Sequence, residues 1–137
     1  MTAPDLLRSQ IDDVGRMLRR TFEGLDDSNC DFKSGNLMSP REQVTHLCVV
    51  YMGAKDVAAG RQKDWASYQV NEPSWAGLLA AFDSLRSEAV NAFDLENEES
   101  MKHASDYLIG HDHYHVGQMC AVRLAMDPQW DPYCIYS

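Results

Sequence analysis

At 137 residues the chain has the length of one ordinary domain, able to bury a single hydrophobic core and too short for two. Its 45% hydrophobic content, with three Trp and six Tyr, marks a globular sequence and not a disordered one. A formal charge of −9 and a pI near 4.8 argue against a nucleic-acid binder, which needs clustered Lys and Arg, and suit an anionic membrane poorly.

No apolar run approaches the roughly 18 to 20 residues of a membrane span, and the opening "MTAPDLLRSQ" lacks the charged and then apolar pattern of a secretory leader. A cytoplasmic address is therefore expected. The four cysteines, Cys30, Cys48, Cys120 and Cys134, form no CxxC pair. They read as reduced, buried, small hydrophobic residues.

Apolar residues at three- and four-residue steps predict four helices, and no segment shows strand alternation. The first runs from about Pro4 to Leu25 and carries Leu6, Leu7, Ile11, Val14, Leu18 and Phe22. Turn formers in "GLDDSNCDFKSGNLM" end it. The second opens at "SPREQVTHL", where Ser39 suits the N-cap, Pro40 the first turn and Glu42 the third position of a capping box. It should pass through Val44, Leu47, Val50, Tyr51 and Val57 and stop before Gly60. The connection "GRQKDWASYQVNEPS" follows, with a turn or short helix of its own. A third helix begins near "EPSW", carries Leu78, Leu79, Phe82, Leu85, Ala89 and Phe93, and ends in the acidic "DLENEES". The fourth spans roughly Glu98 to Met126 and stops before the two prolines of "DPQWDP".

Four amphipathic helices and little else predict an all-α four-helix bundle, with residues 1–137 forming one domain. The long stretch between the second and third helices leaves room for a crossover.

Five histidines occur in the chain, and three of them crowd into "HDHYH". Helical rotation of about 100° per residue puts His111 and His115 on one face and turns His113 away from it. Tyr107 and Gln118 return to the shared face. Asp112 and His113 are expected at solvent or at an interface, and His103 is rotated out of reach. An imidazole pair four residues apart on a helix can aim at a single metal ion. His46 supplies a third nitrogen from the second helix, and three nitrogens with a position left open form the donor set of a catalytic metal site. Glu42, one turn before His46, is a candidate general base or supporting group, although its capping role also explains it. Gln118 is a candidate for orienting a ligand histidine or meeting substrate. Gly110 and Gly117, one heptad apart, suggest close approach of another helix or chain, and tight packing without function explains them equally well. An HxH hydrolase site is rejected because alternate residues share a face only on extended backbone.

The proline-initiated helix carrying "THL" and the later "HDHYHVGQM" resemble the DinB/YfiT-like family of helical metalloenzymes. That family pairs a His on its second helix with a late H-x-x-x-H-R-G-Q segment, matched here by His46, His111, His115, Gly117 and Gln118. Val116 stands where many members have Arg. The resemblance implies up-down-down-up helix order, a homodimer, and a divalent cation, zinc or nickel, held by the three histidines. It also implies use of a small thiol such as mycothiol or bacillithiol in transfer or isomerisation.

The resulting expectation is an enzyme that activates a low-molecular-weight thiol, or water, for attack on a small electrophile. Two rivals stand beside it. One is a non-catalytic stress-response or ligand-binding dimer with a structural or vestigial metal. The other is a metal-free histidine network or pH-sensitive interface. The aromatic tail "DPQWDPYCIYS" is expected to dock on the bundle, with a dimer contact or a pocket wall as alternatives.

Overall fold

The computed structural model describes residues 1–137 and is entirely helical. Helix α1 spans Ala3–Phe22, α2 Pro40–Ala58, α3 Trp75–Ala92, α4 Glu98–Ser105 and α5 His111–Met126. Because α4 and α5 are joined through a five-residue π-helical turn, Asp106–Gly110, they form one rod and the molecule is a four-helix bundle.

Local chemistry sets the helix ends. In α1, Thr2 accepts from Asp5 N–H while the Asp5 carboxylate accepts from Thr2 N–H. In α2, Ser39 and Glu42 complete the same reciprocal pair behind Pro40. Helix α1 stops at Phe22, three residues short of the expected Leu25, because Glu23 turns extended and Gly24 takes φ +83°, a left-handed conformation that favours glycine.

Cross-helix contacts establish the topology. Arg41 of α2 donates to the Pro73 carbonyl just before α3 (3.1 Å), and Lys55 meets Glu88 near the C-terminal ends of the same two helices (3.4 Å). Helices α2 and α3 are therefore parallel, and the residues between them must return along the bundle as a crossover. Arg19 pairs with Asp83 and Arg86 reaches the Ile11 carbonyl, so α1 runs antiparallel to α3. Arg123 near the end of α5 donates to the Thr21 and Glu23 carbonyls (2.7 Å each), which aligns α5 with α1. The order is up-down-down-up.

Ile11, Val14 and Leu18 of α1, Leu47 and Tyr51 of α2, Leu78 and Phe82 of α3, and Leu108 and Met119 of the last rod fill the shared core. Each such large apolar side chain contributes about 1.5–3 kcal/mol by leaving water.

The fourth helix is not the continuous α-helix its spacing predicted. At the π turn the His111 N–H donates to the Asp106 carbonyl five residues back. One residue is thus inserted into the helical phase, a feature frequent at functional sites.

Asp112, expected at solvent or an interface, is fully buried in the bundle. A phase count from the histidines says which way a side chain points, not whether a neighbouring helix covers it. Gly110 and Gly117 are exposed, and no other helix of the chain approaches them: a Cβ at Gly117 would meet nothing within 4 Å, and one at Gly110 only the Ser105 carbonyl at 3.7 Å. Cys30 and Cys48 are buried as expected, whereas Cys120 and Cys134 are half-buried, and all four are free thiols. The tail forms a short 3-10 turn, Pro132–Tyr136, against α1, with Ile135 on the core and the Trp130 ring 5.0 Å from the Arg123 guanidinium. It docks on the bundle, while Tyr133 and Tyr136 remain exposed.

Candidate metal centre

The antiparallel packing of α2 against α5 brings His46 to the His111–His115 pair. One ligand nitrogen from each of the three lies within 4.8 Å of those of the other two. Ring centroids are 5.2 Å apart for His46 and His111, 5.3 Å for His46 and His115, and 4.7 Å for His111 and His115.

His115 is fully buried, and its Nδ1 lies 3.1 Å from Gln43 Oε1. An amide oxygen only accepts, so Nδ1 carries the proton and Nε2 is left with a free lone pair. The Gln43 amide is itself oriented by donating to the Met38 carbonyl (3.2 Å). This bond fixes both ring orientation and tautomer, as carbonyl partners do for metal-ligating histidines.

His115 Nε2 and His111 Nδ1 are buried without any hydrogen-bond partner. Two such atoms are costly, at about 1–3 kcal/mol each, and a cation held among the three rings would satisfy a nitrogen that faces it. Burial, and then the neighbouring His46, lower the His111 pKa to about 4. Burial, and then His111 and His46, lower that of His115 to about 3. Partial desolvation also lowers His46, whose side chain reaches solvent. Three imidazoles held neutral near pH 7 offer lone pairs without first releasing protons. The donor set fits a divalent metal ion.

Of the other residues singled out by sequence, Glu42 is exposed. Its carboxylate accepts from Ser39 N–H (3.2 Å) and pairs with Lys33 (2.9 Å), which lowers its pKa. Gln118 is half-buried and forms no hydrogen bond with the three imidazoles; the amide on His115 belongs to Gln43. His113 is exposed, and His103 lies away from the cluster beside Glu99 (3.8 Å). Val116 is buried in the core and does not line the cleft that opens on the histidines.

That cleft, about 350 Å³, is lined by His46, Val50, Trp65, Asp106, Tyr107 and His111. The crossover supplies Trp65, whose indole packs on α2 at Gly53: a Cβ there would come within 2.6 Å of Trp65 Cη2. Tyr68, stacked edge-on against Trp65 and hydrogen-bonded to Asp56, ties the crossover to α2. The π turn supplies Tyr107 and Asp106.

Behind the histidines, Asp112 accepts from Tyr51 Oη (2.8 Å) and Arg86 Nε (3.0 Å), and Arg86 also donates to the Ile11 carbonyl (2.7 Å). Gly15 makes room for this guanidinium, since a Cβ would sit 2.5 Å from Arg86 Nη1. Burial raises the Asp112 pKa to about 6 against the opposing pull of Arg86 and Tyr51. The residue next to His111 is thereby anchored to α1, α2 and α3 at once.

A family model for the DinB superfamily matches residues 10–119, four-fifths of the chain and all three histidines. The chain belongs to the DinB superfamily. No curated protein and no solved structure matches it. The DinB match ends at Met119, so the last turns of α5 and the docked tail lie outside the shared region.

Gln43, Trp65 and the trio of Tyr51, Arg86 and Asp112 were not read from the sequence as parts of the site. Gln43 had a visible signal, a buried-face amide one turn before His46. Trp65 had none, because a crossover has no helical phase.

Proposed function

We propose that this DinB protein is a divalent-metal-dependent enzyme that activates a small thiol, or water, for attack on a small electrophile. The observation that carries the reading is a three-imidazole set with two buried, unpartnered nitrogens beneath an open cleft. Three neutral nitrogen donors suit zinc or nickel. When bound, such a cation supplies Lewis acidity that favours the thiolate over the thiol or makes water a stronger nucleophile.

The chain's own residues do the rest. His46, His111 and His115 hold the ion, and Gln43 keeps the His115 proton on Nδ1. Val50, Trp65 and Tyr107 line the cleft with apolar surface that excludes water from a bound substrate. In the transfer, the thiol proton leaves to solvent and sulfur forms a bond to the electrophilic carbon. The leaving group departs with its electron pair, so no oxidant or reductant is required.

His46 is exposed on the cleft side, which favours a centre that admits substrate over a closed structural one. Metal analysis of purified protein, paired with assays of thiol transfer to small electrophiles, tests the reading. About one ion per chain, lost in His46→Ala and His115→Ala together with activity, is the expected result. Metal-free wild type, unchanged by either substitution and inert in transfer, overturns it. A cytoplasmic homodimer accompanies this proposal, and light scattering of the purified chain checks the dimer.

A further inference from the structure

Lys63 stands at the edge of the cleft. Its ammonium donates to Tyr107 Oη (2.8 Å) and lies 5.6 Å from the Trp65 ring centroid and 5.5 Å from that of Tyr107. It thus bridges the two aromatic walls, one from the crossover and one from the π turn.

No carboxylate neutralises it. The acidic group lining the cleft, Asp106, is engaged on both oxygens by Lys102 at 2.7 Å. In a chain with 21 acidic and 12 basic side chains, an ammonium left without a carboxylate partner beside an apolar cleft is conspicuous. Its hydrogen bond to Tyr107 occupies one of three donors, leaving two for a ligand.

We propose that Lys63 is a specificity-determining residue that selects substrates with an apolar body and an anionic end, such as a carboxylate. The body lies between Trp65, Tyr107 and Val50, and the anion meets the ammonium at the mouth. The Val116 position cannot take this part, because its side chain points into the core. This inference rests on the cleft being the substrate site of the proposed enzyme, and it names the class of molecule that site accepts.

Binding of 3-phenylpropionate and of its neutral amide, 3-phenylpropanamide, provides the test. Both are titrated by NMR and Trp fluorescence into wild type, Lys63→Met and Lys63→Arg, each metal-free and zinc-loaded. In wild type the acid should bind about tenfold tighter than the amide, the scale of one charge-assisted hydrogen bond. Lys63→Met should erase the preference and leave zinc content unchanged, while Lys63→Arg should retain it.

An acid preference that survives Lys63→Met, equal binding of acid and amide by wild type, or no binding of either overturns the inference. Failure of the metal reading looks different: zinc is not taken up, yet the Lys63-dependent preference persists in the metal-free protein.

Discussion

At the scale of single residues, the site depends on keeping three imidazoles neutral and aimed at one point. Burial keeps His115 neutral, and Gln43 aims it through its 3.1 Å contact with Nδ1. Gln43→Leu should weaken zinc affinity about 10- to 100-fold with the three ligands intact, the usual effect of losing such a supporting bond. Competition with a chelator of known affinity measures it. Lowered pKa values also make a statement about stability. The unfolded chain binds protons at His111 and His115 below about 6.5, the ordinary histidine value, whereas the fold resists protonation down to about 4 and about 3. Their contribution is present above pH 6.5 and is lost as pH falls toward 4 and 3. Asp112, raised to about 6, acts in the opposite sense: its contribution is present below pH 3.8 and is lost as pH rises through 6. Two larger histidine shifts outweigh one carboxyl shift. The metal-free protein should therefore lose stability on acidification from pH 6.5 to 4, as followed by urea denaturation at each pH.

At the scale of elements, the last rod carries the site and is held by charge as well as by apolar packing. Asp112 and Arg86 are 0% and 4% exposed, so removing one partner strands the other in the core. Asp112→Ala should cost about 3–5 kcal/mol of unfolding free energy, and Arg86→Met/Asp112→Leu together should cost less than that single change. Denaturant titration of the two variants decides it. A second element-level dependence sits in the crossover, where Trp65 lies on Gly53 with no space for a methyl group. Gly53→Ala should displace the indole, seen as a changed Trp65 fluorescence signal, and should narrow or reshape the cleft while zinc content stays as in wild type. The capping pair of α2 was legible at this scale because Ser39, Pro40 and Glu42 act within a few residues of one another. The π turn was not: "DYLIG" has ordinary helical spacing, and only the positions of the surrounding helices show where the extra residue is accommodated.

For the whole molecule, binding linked to folding gives the broadest test. An ion that binds the native centre and not the unfolded chain stabilises by about 2.7 kcal/mol at a free concentration a hundred times its Kd. Zinc or nickel should raise the Tm of the stripped protein, excess chelator should reverse the gain, and His46→Ala should abolish it. Calorimetry with and without metal checks all three. No helix is long and apolar enough to cross a membrane.

The sequence by itself determined four helical segments, the capping pair of α2, the bundle class and the separation of His111 and His115 from His113. These follow from 3.6-residue periodicity and from interactions spanning a few residues, which a linear string carries in full. The meeting of His46 with the pair was inferable as chemistry but became geometry only when α2 packed antiparallel to α5. Tertiary structure alone decided that Asp112 is buried beside Arg86, that Gln43 orients His115, and that a crossover tryptophan and lysine flank the cleft. Those facts depend on which helix covers which face and on where a segment without periodicity comes to rest, and contacts among residues distant in the chain determine both.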